Sequence, residues 1–186
     1  MRGERFAFAA ARHYDAPVEA RLNLWLHLLA FATYTGATVV VAFASVPAAR
    51  REVEPARRLR LLADALRIYD PLSIAALGVI VMTGAFRLTA YKAALRAVFF
   101  DRLGAVLAWK LFFSFLLIMV GTYAAFGIGH RLVSMNARQE IVDRRVLAGM
   151  ETRLQWALSI ALALIAVIVW IALAVAPAGI AATPAA

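Results

Sequence analysis

The stretch LGAVLAWKLFFSFLLIMVGTYAAFGI, residues 103–128, contains a single charged side chain, Lys110. An α-helix rises 1.5 Å per residue, so about 20 apolar residues cross the roughly 30 Å hydrocarbon core of a bilayer. In lipid, every backbone polar group needs a partner within the protein, and a helix supplies those partners within one segment. The stretch therefore predicts a transmembrane helix.

Three further stretches of the chain are apolar enough to span a membrane. The second span is the shortest, and it opens with Asp70-Pro71, which is typical of a helix N-cap followed by a proline in the first turn. The chain has 186 residues and is 64% hydrophobic. The sequence thus predicts an all-α protein, an integral membrane four-helix up-and-down bundle. The predicted spans are residues 22–46, 69–91, 103–128 and 154–176.

The ends of the chain are predicted to lie outside the bundle. Residues 1–21 are too short to cross a bilayer before the first span, which predicts an N-terminal interfacial segment. The uncharged tail 177–186 is predicted to be disordered, with the last helix ending near Pro177.

The first connection contains leucines with helical spacing. Leu59, Leu62 and Leu66 lie on one stripe, and arginines occupy the other faces. That pattern is typical of an amphipathic helix that lies in the membrane interface with its apolar face in lipid.

The net charge of +9 is distributed over all the connections. Because these charges flank hydrophobic spans, lipid headgroups are favoured over nucleic acid as their partner. The first and third connections carry more Lys and Arg than the N-terminal segment and the second connection, so both chain ends are predicted to be non-cytoplasmic. The predicted location is a bacterial inner membrane. The chain has no cysteine, which excludes disulfides, zinc–thiolate sites and iron–sulfur clusters.

Small residues indicate where helices approach each other. Gly121, Ala125 and Gly129 recur every fourth residue in the third span, which predicts a shallow ridge against a neighbouring helix. Lys110 falls on the same stripe, so it is predicted to face protein rather than lipid. Small residues on the other spans offer matching surfaces: Ala32, Gly36, Gly78 and Gly84.

Ionisable residues within spans are costly and often functional. His27 and Lys110 belong to spans that run in the same direction, and both are predicted to lie about 7–11 Å below one surface. Arg87 approaches that surface, and Tyr34 lies deeper on the face that carries His27. His130 is predicted to be about 30 Å away at the opposite surface, which excludes an iron ligated by two span histidines within one protomer.

These residues have two kinds of interpretation. Lys110 can extend its stem to the headgroups, and His27 beside Trp25 can be an interfacial anchor. Alternatively, the His27 imidazole ligates haem iron while Lys110 or Arg87 pairs with the propionates. The same arrangement would suit a lipid headgroup, whereas copper lacks its preferred thiolate and clustered thioether ligands.

Three segments resemble the HemJ-type protoporphyrinogen oxidases. LWLHLLAFATYTGATVVVAF is similar to the first span of that family, with its early histidine. DPLSIAALGVIVMTGAF is similar to the second, with its opening proline, and WKLFFSFLLIMVG is similar to the Lys-Leu start of the third. The resemblance covers about residues 22–123. The CopD copper-resistance proteins share the histidine-led helix but have about twice as many spans.

The resemblance implies a membrane protein that binds haem b and oxidises protoporphyrinogen IX, with electrons passed to the respiratory chain. The family histidine falls on His27, the lysine on Lys110 and the second-span proline on Pro71. The implied roles are an axial metal ligand for His27, a second ligand or propionate partner for Lys110, a propionate partner for Arg87, and a pocket-lining position for Tyr34.

The chain departs from the family in ways that favour other functions. Tyr34 stands where the family usually has tryptophan, and a histidine expected about ten residues beyond the Lys-Leu pair is absent. The second hypothesis is therefore a non-enzymatic transmembrane subunit of a larger electron-transfer complex. It would have other membrane subunits or further copies of the chain as partners. The third is CopD-like copper transport.

Overall fold

The computed structural model describes the backbone of residues 18–95 and 99–180, and the side chains of those residues except 90, 91, 93–95, 99–103 and 174–180. Residues 1–17 of the predicted interfacial segment and residues 181–186 of the predicted tail lie outside the described residues. Residues 18–21 already belong to the first helix, so that helix begins earlier than its apolar composition predicted.

The described chain is helical, with no strand between residues 18 and 95 or between 99 and 180. Two π-helical turns, Val41–Ser45 and Tyr123–Gly129, connect consecutive α-helices without a break. The α-helices are α1 (Val18–Val40), α2 (Val46–Arg51), α3 (Pro55–Leu95), α4 (Phe99–Thr122), α5 (His130–Ala137) and α6 (Arg144–Ile180).

Four helical rods are long and apolar enough to cross a membrane: span 1 (Val18–Arg51), span 2 (Pro55–Thr89), span 3 (Gly104–Ala137) and span 4 (Arg144–Leu173). Only 17–33% of the residues in their most apolar windows are buried inside the protein. Most of the apolar surface therefore faces outward, as a bilayer requires and water does not tolerate. The predicted four-helix integral membrane bundle is confirmed.

The spans form a ring in which span 1 lies beside spans 2 and 4, and span 3 also lies beside spans 2 and 4. Short connections join spans 1 to 2 and 3 to 4, so neighbours in sequence run antiparallel. The larger apolar core lies at the end of the bundle that carries these connections, and a smaller core surrounds Tyr34 at mid-height.

The second span differs from the prediction. Helix α3 begins at Pro55, and Pro71 lies inside it rather than in its first turn. A proline inside a helix leaves the carbonyl four residues earlier without its usual donor and bends the helix. The expected N-cap at Asp70 is therefore wrong, and α3 is a single helix that extends beyond the apolar part of the sequence.

The leucine stripe also differs from the prediction. Leu59, Leu62 and Leu66 are at most 3% exposed and pack in the larger core. The predicted interfacial helix with these leucines in lipid is wrong, because the same stripe is covered by the extended ends of the other spans. Periodicity alone does not distinguish a lipid-facing stripe from a protein-facing one.

The last helix is also longer than predicted. Helix α6 extends to Ile180, so it does not end near Pro177.

The small-residue ridge of span 3 packs within the chain. Gly121, Ala125 and Gly129 are all buried. A methyl group added at Gly121 would lie 3.0 Å from the Tyr34 hydroxyl, and one at Gly129 would lie 2.5 Å from the Asp70 carboxylate. The small residues of this ridge therefore allow side chains from spans 1 and 2 to approach the backbone of span 3 closely, as the spacing predicted.

Candidate functional site

His27 faces span 2. Its Nδ1 lies 2.8 Å from the Thr83 hydroxyl, and Asn23, one turn earlier, donates its amide to the Thr83 carbonyl at 3.2 Å. Gly84 lies beside the imidazole: a methyl group added there would be in ordinary van der Waals contact with Cε1 of His27, at 3.8 Å. His27 is thus held by protein contacts on its Nδ1 edge rather than turned outward into lipid.

The Thr83 hydroxyl fixes the imidazole tautomer. A hydroxyl has one proton, and that of Thr83 is donated within its own helix, most closely to the Val79 carbonyl at 2.6 Å. The hydroxyl must therefore accept a proton from His27 Nδ1. In the neutral imidazole, Nε2 then carries the lone pair and is the nitrogen available to a metal or a proton.

Arg87 and Lys110 lie close enough to His27 for their charges to act on its imidazole. Arg87 is one turn beyond Thr83 on span 2, and Lys110 reaches the same region from span 3. Both side chains are partly exposed. The structure therefore brings together three nitrogen-bearing side chains from three spans at one end of the bundle: those of a histidine, an arginine and a lysine.

Tyr34 is placed differently from these three. It is fully buried, about 10 Å further along span 1 by the helical rise. Its hydroxyl lies beside Gly121, where an added methyl group would be 3.0 Å away, and has no hydrogen-bond partner within the described residues. The structure shows no contact that joins Tyr34 to His27, so Tyr34 belongs to the packed centre of the bundle.

Three aromatic residues neighbour Lys110 in span 3. Trp109 stacks on Phe113 with ring centroids 5.9 Å apart, and Phe112 meets both rings edge-on. Trp109 and Phe112 are exposed on the outer surface. Span 3 therefore carries an exposed aromatic surface beside Lys110 in the sequence.

A row of buried polar side chains continues below Tyr34. The Thr38 hydroxyl donates to the Tyr34 carbonyl at 2.7 Å and lies 3.3 Å from the Tyr69 hydroxyl. Next to Tyr69, Asp70 points at Gly129, and its Oδ1 is buried without a hydrogen-bond partner in the described structure. This row was not predicted, because Thr38 and Tyr69 look like ordinary span residues in the sequence.

A buried ion pair lies at the end of the bundle opposite His27. Arg58 donates from Nε and from Nη2 to the two carboxylate oxygens of Glu151, which is 0% exposed. Arg50 approaches the same carboxylate at 3.7 Å. The sequence analysis missed Glu151. Its signal was its place on the apolar stripe formed by Leu147, Leu154 and Leu158, where an acidic residue needs a partner.

Metal ligands are sparse in this structure. Within the described residues, no three or more His, Cys, Asp or Glu side chains are grouped to hold a metal ion. The donor set near His27 is one imidazole nitrogen with two cations nearby. That set fits a prosthetic group that brings its own iron ligands and anionic substituents better than it fits a bare metal ion.

Fold and site together define a class: an integral membrane four-helix bundle with a histidine and two cations gathered at one end. Comparison with protein-family models, curated proteins and solved structures finds no significant match to this chain.

Proposed function

We propose that this chain is a haem-b-binding membrane protein in which His27 is the axial ligand. The observation that carries the proposal is the hydrogen bond from His27 Nδ1 to Thr83. Histidines that ligate metals usually donate their other ring N–H to a protein group, which fixes the ring and raises its basicity. His27 has this arrangement, with Nε2 as the nitrogen that would meet the iron.

Arg87 and Lys110 would hold the propionates. Carboxylates placed near the membrane interface need cationic partners, and an arginine can bind a carboxylate through two parallel hydrogen bonds. Lys110 is also the candidate for a second axial ligand. The exposed rings of Trp109 and Phe112, which neighbour Lys110 in span 3, would offer an apolar surface to such a group.

The reaction follows from the family resemblance: oxidation of a porphyrinogen, with electrons passed to the respiratory chain. Bound haem would supply one-electron transfer. The protein's own contribution would be to orient His27 through Thr83 and to balance the propionate charge with Arg87 and Lys110. Porphyrinogen and haem both have an apolar macrocycle with anionic propionates at one edge, so a site with an apolar surface and cations beside it would suit either.

An absorption spectrum of the purified chain, oxidised and reduced, tests haem binding. We expect a Soret band that is lost in His27→Ala and retained in His130→Ala, a matched control because His130 is exposed at the far end of the bundle. A wild-type protein without a Soret band, or a band unchanged by His27→Ala, overturns the proposal. Turnover is tested separately by the fluorescence of protoporphyrin formed from protoporphyrinogen.

A second candidate function is a non-enzymatic subunit of a larger membrane complex. It is favoured by Ala32 and Gly36, which remain exposed on span 1 although small residues usually mark close helix contacts. A methyl group at Gly36 would meet nothing within 4 Å inside the chain. Gly36→Leu would then release a co-purifying partner or second copy, while the absorption spectrum of the chain would be unchanged.

The proposed location is a bacterial inner membrane with both chain ends outside the cytoplasm. Support comes from the excess of Lys and Arg in the first and third connections. The His27 end would then face outward and the Arg58–Glu151 end inward. A green fluorescent protein fused to the C-terminus would stay dark and an alkaline phosphatase would be active; the reverse result contradicts this orientation.

A further inference from the structure

At the end of the bundle opposite His27, a cavity of about 330 Å³ lies between the end of span 1 and the beginning of span 4. Its volume is in the range of sites that hold small ligands. The proposed haem function uses none of its residues. The lining residues are Arg50, Thr152, Gln155, Trp156 and Ser159.

The orientation of the Gln155 side chain is explained by Pro47, which leaves a backbone carbonyl of span 1 without its usual donor. In a π-helical turn the Ala42 carbonyl would accept from the residue five positions later, which is Pro47 and has no N–H. Gln155 Nε2 donates to this carbonyl instead, at 3.1 Å. The amide nitrogen is thereby assigned, because only a donor can face a carbonyl.

The other end of the same amide lacks a partner. Gln155 Oε1 is buried and accepts no hydrogen bond from the described residues. This oxygen has almost no accessible surface, so a ligand in the cavity does not reach it. The polar side chains that line the cavity from exposed positions are Arg50, Thr152 and Ser159.

The charge at the cavity is unbalanced. Glu151 is neutralised by Arg58 through two parallel hydrogen bonds, so the positive charge of Arg50 remains in excess. No acidic side chain lines the cavity. The three charged residues together carry +1, which favours a ligand with one negative charge.

An apolar path leads from the cavity into the membrane. Trp156 lines the cavity and is 67% exposed, and Ile160, one turn further along span 4, is also exposed. A tryptophan at this level is typical of the membrane interface. A ligand with acyl chains could place them along this face while its headgroup enters the cavity.

We propose that this cavity binds the headgroup of an anionic phospholipid: a phosphodiester paired with Arg50 whose hydroxyls contact those of Thr152 and Ser159. Phosphatidylglycerol has this chemistry. Phosphatidylcholine has the same phosphate, but it carries a compensating cation and no donor. The inference does not depend on haem.

Native mass spectrometry of the delipidated full-length chain with added lipid tests the site. Phosphatidylglycerol is expected to bind about tenfold more tightly than phosphatidylcholine, because phosphatidylcholine keeps the phosphate but brings a cation near Arg50 and has no hydroxyl to donate. Arg50→Gln should weaken phosphatidylglycerol binding by about tenfold. Its neighbour Arg51→Gln, an exposed arginine that does not line the cavity, should leave binding within about twofold.

Two further experiments control for misfolding of a variant and for binding of a soluble phosphate. Ser159→Phe fills the cavity from an exposed position and should also abolish the preference, whether or not Arg50→Gln folds well. Glycerol 1-phosphate carries the headgroup chemistry without acyl chains. If it competes as well as the lipid, the ligand is a soluble phosphate and the lipid assignment is overturned. Equal binding of both lipids, or equal effects of Arg50→Gln and Arg51→Gln, overturns the site.

Discussion

The His27 imidazole donates from Nδ1 to a hydroxyl, that of Thr83, whose own proton is used within span 2. One hydrogen bond therefore decides both the direction of the ring and the nitrogen that carries the lone pair. The position of Thr83, rather than His27 alone, makes the site suitable for an axial ligand.

Thr83→Val should weaken haem binding about 10-fold or more, since removal of such an outer partner typically costs 10–100-fold in metal affinity. The measurement is a haem titration of the apoprotein, followed by absorbance. Thr89→Val is the matched control, because Thr89 makes the same kind of bond to the carbonyl four residues earlier but is exposed and remote from His27. Equal losses in both variants would show that Thr83 does not orient the ligand.

Gly121→Ala should destabilise the bundle by about 1–3 kcal/mol, because the new methyl group would lie 3.0 Å from the Tyr34 hydroxyl. The free energy of unfolding in detergent measures the effect. Tyr34→Phe removes a hydroxyl that has no described partner and should cost little by itself.

The double variant with both changes should recover part of the stability lost in Gly121→Ala. Gly78→Ala is the control, since a methyl group at Gly78 meets nothing within 4 Å. Purely additive effects of Gly121→Ala and Tyr34→Phe would contradict the contact.

Glu151→Gln should cost about 3–5 kcal/mol of unfolding free energy, because it leaves the Arg58 guanidinium in its buried position without a carboxylate. The combined change Arg58→Met with Glu151→Leu should cost less than Glu151→Gln, since both charges are then removed from the interior. Glu52→Gln is the control, because its partner Arg57 is 68% exposed. We expect less than about 1 kcal/mol there.

Leu62→Ala should lower the unfolding free energy by about 2–5 kcal/mol, as expected for a fully buried leucine. Leu61→Ala, at an exposed neighbouring position, should have a much smaller effect on the same measurement. If the leucine stripe lay in lipid, as its periodicity suggested, the two variants would behave alike.

The site shows where sequence reasoning succeeds and where it stops. His27 and Lys110 were predicted to share a depth, with Arg87 approaching the same surface, by counting residues along helices of known rise. In the structure, Arg87 and Lys110 lie near enough to His27 for their charges to act on its imidazole. Thr83 was missed because a threonine in an apolar helix usually bonds to its own backbone, and nothing local indicates that it also faces a histidine. Tyr34 was assigned to the same face by spacing, but its neighbours are decided by the close approach of Gly121.

The beginning of span 2 also shows that local sequence signals do not decide the structure alone. Asp70-Pro71 has the local chemistry of a helix start, yet the helix begins at Pro55, because the leucines before Asp70 find an apolar surface to cover them. Local preference is a weak constraint compared with the burial of several large side chains.

The sequence by itself determined that four helices cross a membrane, since runs of about 20 apolar residues have no other stable form in lipid. It also predicted that His27 and Lys110 lie towards the same end of the bundle, because the helical rise is constant. Only the tertiary structure decided which residue faces which. The tautomer of His27, the partner of Glu151 and the unsatisfied amide of Gln155 each depend on contacts between helices distant in the sequence, and no local pattern encodes them.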